Sequence, residues 1–374
     1  MTVRVNKQPF NVREKLSELE RPVGVKGHEL MRAETAQEAR DLVSAGRKNM
    51  VINGDMRISQ RVGTTATTIT SGGFVIDRYR CEDNTAGSTT HQQVTDAPPG
   101  FHNSLKVTVT GTDATVNAGD FHYFRHIIEG NNINHLNWGS SNAKTVTLSF
   151  WVKSSVTGDH GGSLWNNAFN RSFPFNYTIN SANAWEYKSI TVPGCPDGTW
   201  ESGTSRGINI GFVQNVGSTY QGPPGQWNSA GDVGPTNHVN LTATNGATWY
   251  ITGIQLEVGR NATDFEHRSY GEELALCKRY YQKIGDTATN EITLGGYSVS
   301  GSTIYHSIQL PVEMRVVPTL TQVGSLYSVR TGQPGSLSGH RGRKGFGVSH
   351  VTTGDGNYLL ASNANAYFVL DAEL

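Results

Sequence analysis

The chain has few cysteines and no excess of basic charge, and both deficits exclude classes of function. Its three cysteines, Cys81, Cys195 and Cys277, are far apart and form no Cys-x-x-Cys pair. We therefore expect free thiols rather than a disulfide framework. The 31 lysines and arginines match the 31 aspartates and glutamates, so the basic excess that nucleic-acid binding requires is missing. The locally basic stretch at 340–344 is interpreted as a loop that anchors a turn.

Long hydrophobic runs and several catalytic motifs are also missing. No stretch approaches the ~20 apolar residues of a membrane-spanning helix, and residues 1–15 lack the apolar core of a signal peptide. We expect a protein made in a cytoplasm, with no export signal of its own and no membrane insertion. The glycine pairs at 72–73 and 161–162 are not followed by Lys-Ser/Thr and a helix, so nucleotide binding is not supported. No His-Glu-x-x-His motif is present, so no zinc site is expected.

Glycine and small polar residues take the place of charge and hydrophobicity. Charged residues make up 17% of the chain and hydrophobic residues 36%, while glycine alone contributes 43 residues. Both percentages are below those of typical globular domains. Threonine and aromatic residues favour strands, and glycine, asparagine and aspartate favour turns. The composition therefore indicates a mainly β protein with many turns.

The clearest local pattern runs from Trp249 to Tyr281. Alternation of Ile254, Leu256 and Val258 with polar residues predicts a half-buried strand at 249–258. Ser269 and Glu272 form a capping box, which predicts a helix over 270–283. Leu274, Cys277 and Tyr281 then share one helix face, where we expect contacts between subunits.

Four parts are predicted along the chain. Residues 1–47 contain two short capped amphipathic helices, which cannot stand alone and form an attachment or oligomerisation segment. Residues 48–268 read as a jelly-roll β-sandwich, residues 269–284 as a linking helix, and residues 285–374 as a smaller C-terminal β-rich domain that depends on partner chains for its core. Predicted strands lie at 50–52, 74–81, 104–109, 121–128, 145–153, 186–192, 208–213 and 249–258, and then at 292–294, 303–312, 319–323 and 367–370.

Two long loops are predicted to carry most of the exposed aromatic side chains, at 158–175 and 217–238. Long loops in compact domains tend to be functional. Flat aromatic faces and planar polar groups suit saccharides. The candidate saccharide-binding residues are Trp165, Asn166, Arg171, Tyr220, Gln226, Trp227 and, on the outward face of strand 145–153, Trp151. Each aromatic has the alternative of packing in the core or within its loop.

The sequence resembles known proteins at both ends and around the sandwich. Residues 49–55 (NMVINGD) and 249–259 (WYITGIQLEVG) resemble the first and last strands of carbohydrate-binding jelly rolls. Residues 265–281 (FEHRSYGEELALCKRYY), with Met314-Arg315 and Pro318-Thr319, resemble tail fibre and receptor-binding proteins of tailed bacteriophages. The segments at 11–16 and 34–47 resemble the start of fibres in short-tailed phages. The resemblance implies a homotrimeric virion protein, assembled in the host cytoplasm, that attaches to tail or adaptor proteins by its N-terminus.

Three hypotheses follow for its function. The first is a phage tail fibre protein, not an enzyme, that recognises host surface glycan. The second is a structural virion component, such as a fibre shaft or a capsid decoration, that binds no sugar. The third is a polysaccharide-degrading enzyme, which would need two carboxylates across the scissile bond, and no acidic pair in the loops has such a motif. No cofactor is expected except a structural Ca²⁺. Asp55 and Glu257, on the first and last predicted strands, would hold this ion, because modules of this kind often bind calcium there. Alternatively, Glu257 pairs with Arg78 or Arg57, or accepts backbone hydrogen bonds.

Overall fold

The computed structural model describes residues 47–69, 71–285, 291–299 and 302–374. The helices expected within 1–47 lie outside these residues. Asn49–Leu374 form one compact unit, which contains the sandwich and the C-terminal domain. Among the described residues, no helix has the length and apolar character needed to cross a membrane.

Two antiparallel sheets form a jelly-roll β-sandwich, as predicted. The strands along the chain are β1 Phe74–Ile76, β2 Tyr79–Asp83, β3 Ser88–Val94, β4 Ser104–Gly111, β5 Phe121–Glu129, β6 Val146–Ser154, β7 Gly158–Asn166, β8 Ser172–Ile179, β9 Glu186–Val192, β10 Arg206–Val216, β11 Gln221–Gly222, β12 Gly234–Pro235 and β13 Thr248–Val258. One sheet has the order β1-β2-β5-β10-β7-β8 and the other β3-β4-β13-β6-β9. Short 3₁₀ turns lie at Gly130–Asn132, Asn134–Leu136, Ser218–Tyr220 and Leu241–Ala243.

The main hydrophobic core lies between these two sheets. Phe150 of β6, Phe212 of β10 and Trp249 of β13 are all buried in one cluster, and their rings are in contact. Alternate residues of β6 point into this core, because successive side chains of a strand face opposite sides of the sheet. The predicted inward set, Val146, Leu148, Phe150 and Val152, is fully buried.

The predictions around the first strands need correction. Residues 50–52 are buried but form no strand; the Met50 N–H donates to the Leu256 carbonyl (3.0 Å). The Asn49 side chain also binds β13: its amide donates to the Ile254 carbonyl (3.1 Å) and its oxygen accepts from the Leu256 N–H (3.1 Å). The strand predicted at 74–81 is interrupted at Arg78, whose φ of 75° is incompatible with a continuous strand.

The loop predicted at 158–175 is wrong, because these residues form most of the β7–β8 hairpin. Its glycines obscured the strand pattern. A Cβ on Gly161 would lie 2.3 Å from the Pro235 ring, and one on Gly162 would lie 2.2 Å from the Gly211 carbonyl oxygen. Close approach of neighbouring backbone and ring atoms therefore requires glycine within this strand. The second predicted loop, 217–238, is irregular apart from the 3₁₀ turn Ser218–Tyr220 and the two-residue strands β11 and β12.

Helix α1 spans Tyr270–Lys278 and begins with the predicted capping box. The Ser269 N–H donates to the Glu272 carboxylate (2.9 Å), and the Glu272 N–H donates to the Ser269 hydroxyl (3.3 Å). The predicted end at residue 283 is wrong, because Tyr281–Ile284 form strand β14 and pair with a strand near the C-terminus. Cys277 and Leu274 pack against the sandwich of their own chain, in a cluster with Ile52, Ile58, Ile127, Tyr280 and Leu374. The helix face expected to bind other subunits is thus covered within one chain.

The C-terminal domain has its own core and two sheets. Its strands are β14 Tyr281–Ile284, β15 Thr293–Ser298, β16 Thr303–Gln309, β17 Thr319–Val323, β18 Leu326–Ser328, β19 Pro334–Arg341, β20 Gly345–Val351, β21 Gly356–Ser362 and β22 Tyr367–Asp371. The sheet orders are β14-β22-β17 and β15-β21-β18-β19-β20-β16. Met314, Phe346 and Phe368 are buried between them. A hydrophobic core thus forms within one chain, and the dependence of this region on partner chains stays a prediction.

A buried arginine joins the C-terminal domain to the sandwich. Arg78, 1% exposed, is ion paired with Glu373. Its guanidinium carbon lies 3.5 Å from the centre of the Tyr280 ring, and its Nη2 donates to the Ile127 carbonyl (2.6 Å). One side chain thus contacts strand β5, the residues after α1 and the C-terminal segment. We call these residues the Arg78 junction.

Candidate functional site

A groove with an aromatic lining opens on the outer face of the five-stranded sheet. Its volume is about 530 Å³, and its lining includes Trp151, Tyr187, Phe101, Phe265 and His267. Trp151 of β6 and Tyr187 of β9 are register partners, with ring centroids 5.4 Å apart. Tyr187 is 44% exposed, so much of this aromatic pair is accessible. We call this feature the outer groove.

The other wall of the outer groove is a triangle of rings. Phe101 and Phe265 meet edge to face at 5.0 Å. The His267 ring lies 4.9 Å from Phe265 and 5.4 Å from Phe101. Edge-to-face contacts hold aromatic rings in fixed orientations. The wall is therefore organised before any ligand arrives.

The floor of the outer groove depends on a bulge in β13. The register between β13 and β6 shifts between Thr252 and Gln255, and Gly253 has a φ of 65°. A Cβ at Gly253 would lie 2.7 Å from the Phe101 ring and 3.1 Å from Trp151. Glycine is therefore needed both for the backbone conformation and for the space between the two walls.

A polar row continues the surface beyond Trp151. Lys153, two residues further along β6, is ion paired with Asp96 and lies 4.2 Å from the centre of the Tyr250 ring. Trp185 Nε1 donates to the same Asp96 carboxylate (3.1 Å). Slight desolvation of Asp96 is outweighed by the hydrogen bonds from Lys153 and Trp185, which lower its pKa. The row combines aromatic faces with a few polar and charged groups, the mixture that small-molecule sites usually contain.

Trp151 is the predicted candidate that lines the outer groove, whereas Trp165 is buried. Trp165 lies on β7 and is 1% exposed. It packs against Tyr123 (5.8 Å between centroids) in a small core with Val213 and Val216. The prediction that it lies exposed in a loop is wrong, because its strand was not recognised.

The candidates of the second loop also pack mainly within the chain. Trp227 contacts Trp138 (5.3 Å) and Trp200 (5.7 Å), and its Nε1 donates to the Pro193 carbonyl (2.8 Å). Tyr220 meets Phe121 edge to face at 5.5 Å. These rings fix the loop to the sandwich, which was the alternative for each of them.

The polar candidates have structural partners of their own. Asn166 is fully buried and donates to the Thr199 carbonyl (3.0 Å). Arg171 forms a bidentate pair with Asp197 at 2.6 and 2.7 Å. Gln226 is exposed and donates to Asn228 (3.3 Å). None of these three side chains lines the outer groove.

The two carboxylates suggested as calcium ligands have separate partners. Asp55 is ion paired with Arg57. Glu257 accepts from the backbone N–H and the hydroxyl of Thr263, at 2.7 and 2.6 Å, which matches the backbone alternative given above. Among the described residues, donor atoms of three or more His, Cys, Asp or Glu side chains converge in one group, and this group contains neither Asp55 nor Glu257. Calcium binding by Asp55 and Glu257 stays a prediction.

A larger concavity, of about 940 Å³, lies on the C-terminal domain. Its lining includes Tyr305, His340, Arg341 and the pair Arg343 and Lys344. Glu313 lies 2.9 Å from Arg343 and 3.8 Å from Lys344, which fits the interpretation of the basic stretch as an anchored turn. The cavity is open and basic, and its lining is less aromatic than that of the outer groove.

Sequence reasoning missed most of the outer groove. Tyr187 is the outward register partner of Trp151, so pairing the predicted strands 145–153 and 186–192 would have found it. Phe101 and Phe265 lie in irregular segments far apart in the chain, and no local pattern brings them together.

The chain matches no protein-family model and no curated protein. Solved structures to which it is similar include the enzymatically active domain of tailspike protein 4 of bacteriophage CBA120, a chain described as CBM4, and a family 11 carbohydrate-binding module of a Clostridium thermocellum cellulosomal cellulase. The identities are 13%, 15% and 13%, with TM-scores of 0.30, 0.28 and 0.25 over 56%, 56% and 55% of this chain. The match spans 21% of the tailspike chain and 99% of each of the other two. At this level of similarity, the function must be argued from the site itself.

Proposed function

We propose that the protein is a phage tail fibre protein that binds host surface glycan in the outer groove. The observation that carries this proposal is the pairing of Trp151 with the half-exposed Tyr187 on an accessible sheet face, opposite Phe101 and Phe265. Sugar rings can stack their C–H faces on such aromatic surfaces, and burial of these apolar faces contributes favourably to binding.

The composition of the outer groove favours binding over hydrolysis. A glycosidase needs two carboxylates about 5–9.5 Å apart. Among the described residues that line the outer groove, Asp264 is the one carboxylate. A polysaccharide-degrading enzyme is therefore less well supported at this site. A structural virion component without sugar binding is the other alternative.

The assembly part of the proposal rests on the phage fibre resemblance. In this proposal residues 1–47 attach to tail or adaptor proteins, and three chains form a homotrimer in the virion. Helix α1 buries its apolar face within its own chain, so subunit contacts must form elsewhere. Exposed side chains on the C-terminal sheet, including Tyr297 (63%) and Leu359 (39%), are available for them.

Binding is tested with the full chain on an array of host envelope glycans, followed by calorimetry with the best ligand. Trp151→Ala and Tyr187→Ala should each weaken binding roughly ten-fold or more, since stacking contributes about 0.5–1.5 kcal/mol beyond area burial and ten-fold equals about 1.4 kcal/mol. Tyr305→Ala is the matched control, an exposed tyrosine outside the outer groove, and should bind normally.

Each alternative has its own outcome. Failure of the full chain to bind host glycan or to compete with phage adsorption would favour a structural component. Release of reducing ends from host polysaccharide would favour an enzyme. Loss of binding in Tyr305→Ala, with Trp151→Ala unaffected, would move the site to the C-terminal cavity.

A further inference from the structure

Three potential metal ligands converge inside the sandwich, away from the outer groove. The side chains of Cys81, His91 and His122 place one donor atom each within 4.8 Å of one another. All three residues are fully buried. His122 Nε2 lies 3.9 Å from Cys81 Sγ, and the Nε2 atoms of both histidines lie 2.9 Å from the Thr89 hydroxyl oxygen.

The cluster connects the two sheets. Cys81 on β2 and His122 on β5 belong to the six-stranded sheet, whereas His91 and Thr89 lie on β3 of the five-stranded sheet. The ring of Phe124 packs against both histidines, at 4.8 and 5.8 Å. The donors are therefore enclosed by the core and held by three strands, although no short sequence motif contains them.

Hydrogen bonding within the chain leaves polar atoms of this cluster unsatisfied. The Nδ1 atoms of both histidines have no hydrogen-bond partner. Gln214 lies beside His122, yet neither atom of its buried amide has a well-formed hydrogen bond. A buried polar atom without a hydrogen-bond partner destabilises the folded state. A metal would bind the Nε2 atoms, which face Cys81 Sγ and the Thr89 hydroxyl, and each Nδ1 would keep its proton. The convergence of these donor atoms, rather than the unpaired Nδ1 atoms, therefore points to a ligand.

We propose that Cys81, His91 and His122 bind a Zn²⁺ ion that joins the two sheets of the sandwich. Zinc prefers thiolate and imidazole ligands, with Zn–S near 2.3 Å and Zn–N near 2.0–2.1 Å. A tetrahedral site then separates its donor atoms by about 3.3–3.6 Å. The 3.9 Å between Cys81 Sγ and His122 Nε2 needs a change of a few tenths of an ångström, and the 4.8 Å limit on all three separations requires the side chains to approach one another by at most about 1.5 Å.

The Thr89 hydroxyl oxygen occupies the position of the fourth ligand. It lies within hydrogen-bond distance of both imidazoles, so either it or a water molecule completes the tetrahedron. On binding, the Cys81 thiol loses its proton to solvent and two neutral imidazoles complete the protein ligands, which leaves one net positive charge. Asp83, the register partner of His122, provides negative charge nearby.

The experiment measures metal in the full chain, produced without a histidine tag in zinc-supplemented medium and dialysed. Elemental analysis should find about one Zn²⁺ per chain. Cys81→Ser and His122→Gln should reduce the zinc content at least ten-fold. Cys195→Ser is the matched control, since Cys195 is also a buried thiol but lies outside the cluster, and it should keep its zinc.

Replacement of zinc by Co²⁺ during refolding gives an independent readout. Cobalt bound by Cys81 should show a thiolate-to-metal charge-transfer band in the wild-type chain, which decides the question even if the variants fail to fold. The proposal is overturned if the wild-type chain holds less than about a tenth of a zinc ion and shows no cobalt band. Equal zinc contents in folded Cys81→Ser and Cys195→Ser would overturn it as well.

Discussion

Arg78→Met should separate the stability of the C-terminal domain from that of the sandwich. The substitution keeps most of the side-chain volume but removes three contacts of the Arg78 junction: the ion pair with Glu373, the hydrogen bond to Ile127 and the cation–π contact with Tyr280. Loss of one partner from a buried ion pair costs about 3–5 kcal/mol, because the remaining charge is left unpaired. The cation–π contact adds about 0.5–2 kcal/mol.

Urea unfolding followed by circular dichroism and tryptophan fluorescence measures this effect. All seven tryptophans of the chain precede residue 250, so fluorescence reports on the sandwich and circular dichroism on all sheets. The two signals should coincide in the wild-type chain and separate in Arg78→Met, with the C-terminal domain unfolding first. Glu373→Gln should give a similar loss, and the double variant should lose less than the sum of the two single losses.

The matched control is Arg330→Met. Arg330 also lies over a tyrosine, 5.1 Å from the centre of the Tyr358 ring, but it is exposed. Its replacement should cost less than about 1 kcal/mol. If Arg78→Met costs no more than Arg330→Met, or if the two signals still coincide, the Arg78 junction does not hold the domains together.

Two further predictions concern the stability of the compact unit Asn49–Leu374. Burial of Asp77 raises its pKa to about 6, and the nearby Arg61 offsets this effect only in part. The folded state therefore holds the Asp77 proton more tightly than the unfolded state does. The stabilisation of the folded state by this proton is present below about pH 4 and is lost as the pH rises through 6, by roughly 3 kcal/mol. Urea unfolding at pH 4.5 and 7 should therefore show a smaller fall in stability for Asp77→Asn than for wild type, and equal falls would contradict this. Gly54→Ala should destabilise by about 1–3 kcal/mol, because its Cβ would lie 2.1 Å from the Ile254 carbonyl oxygen, whereas Gly119→Ala, with open space around its Cβ, should have little effect. Thermal unfolding compares the two, and similar melting temperatures would contradict the packing argument.

The sequence predicted strands well where β-branched and aromatic residues alternate. The strand at 186–192 matches β9 in its bounds, and the strands at 121–128 and 249–258 differ by one residue at an end. The β7–β8 hairpin was missed because Gly161 and Gly162 replace the expected side chains for steric reasons that arise only in the folded chain. Helix α1 was predicted too long, since the pairing of Tyr281 with Asp371 is a long-range contact.

The candidate site was predictable only in part. The alternation of inward and outward side chains along β6 placed Trp151 outward, because its neighbours Phe150 and Val152 occupy the core. Trp165 and Trp227 looked equally accessible in the sequence, yet both pack within the sandwich. A tryptophan in a Gly-rich and Asn-rich segment does not reveal whether its ring covers the core or faces solvent. The zinc cluster was not foreseen, because its ligands come from three strands of two sheets.

The hydrogen bonds that join Asn49 to β13 have a mechanical consequence. Its side chain bridges Ile254 and Leu256, its backbone N–H donates to Glu266 (2.6 Å), and the Asn53 N–H donates to Glu273 of α1 (2.5 Å). A pulling force applied from the N-terminal side would reach these hydrogen bonds together, before any strand of the sandwich is stretched. The load would then pass directly into β13, the strand that also forms the floor of the outer groove. A load on the segment at Asn49 and a ligand in the outer groove would therefore act on the same strand.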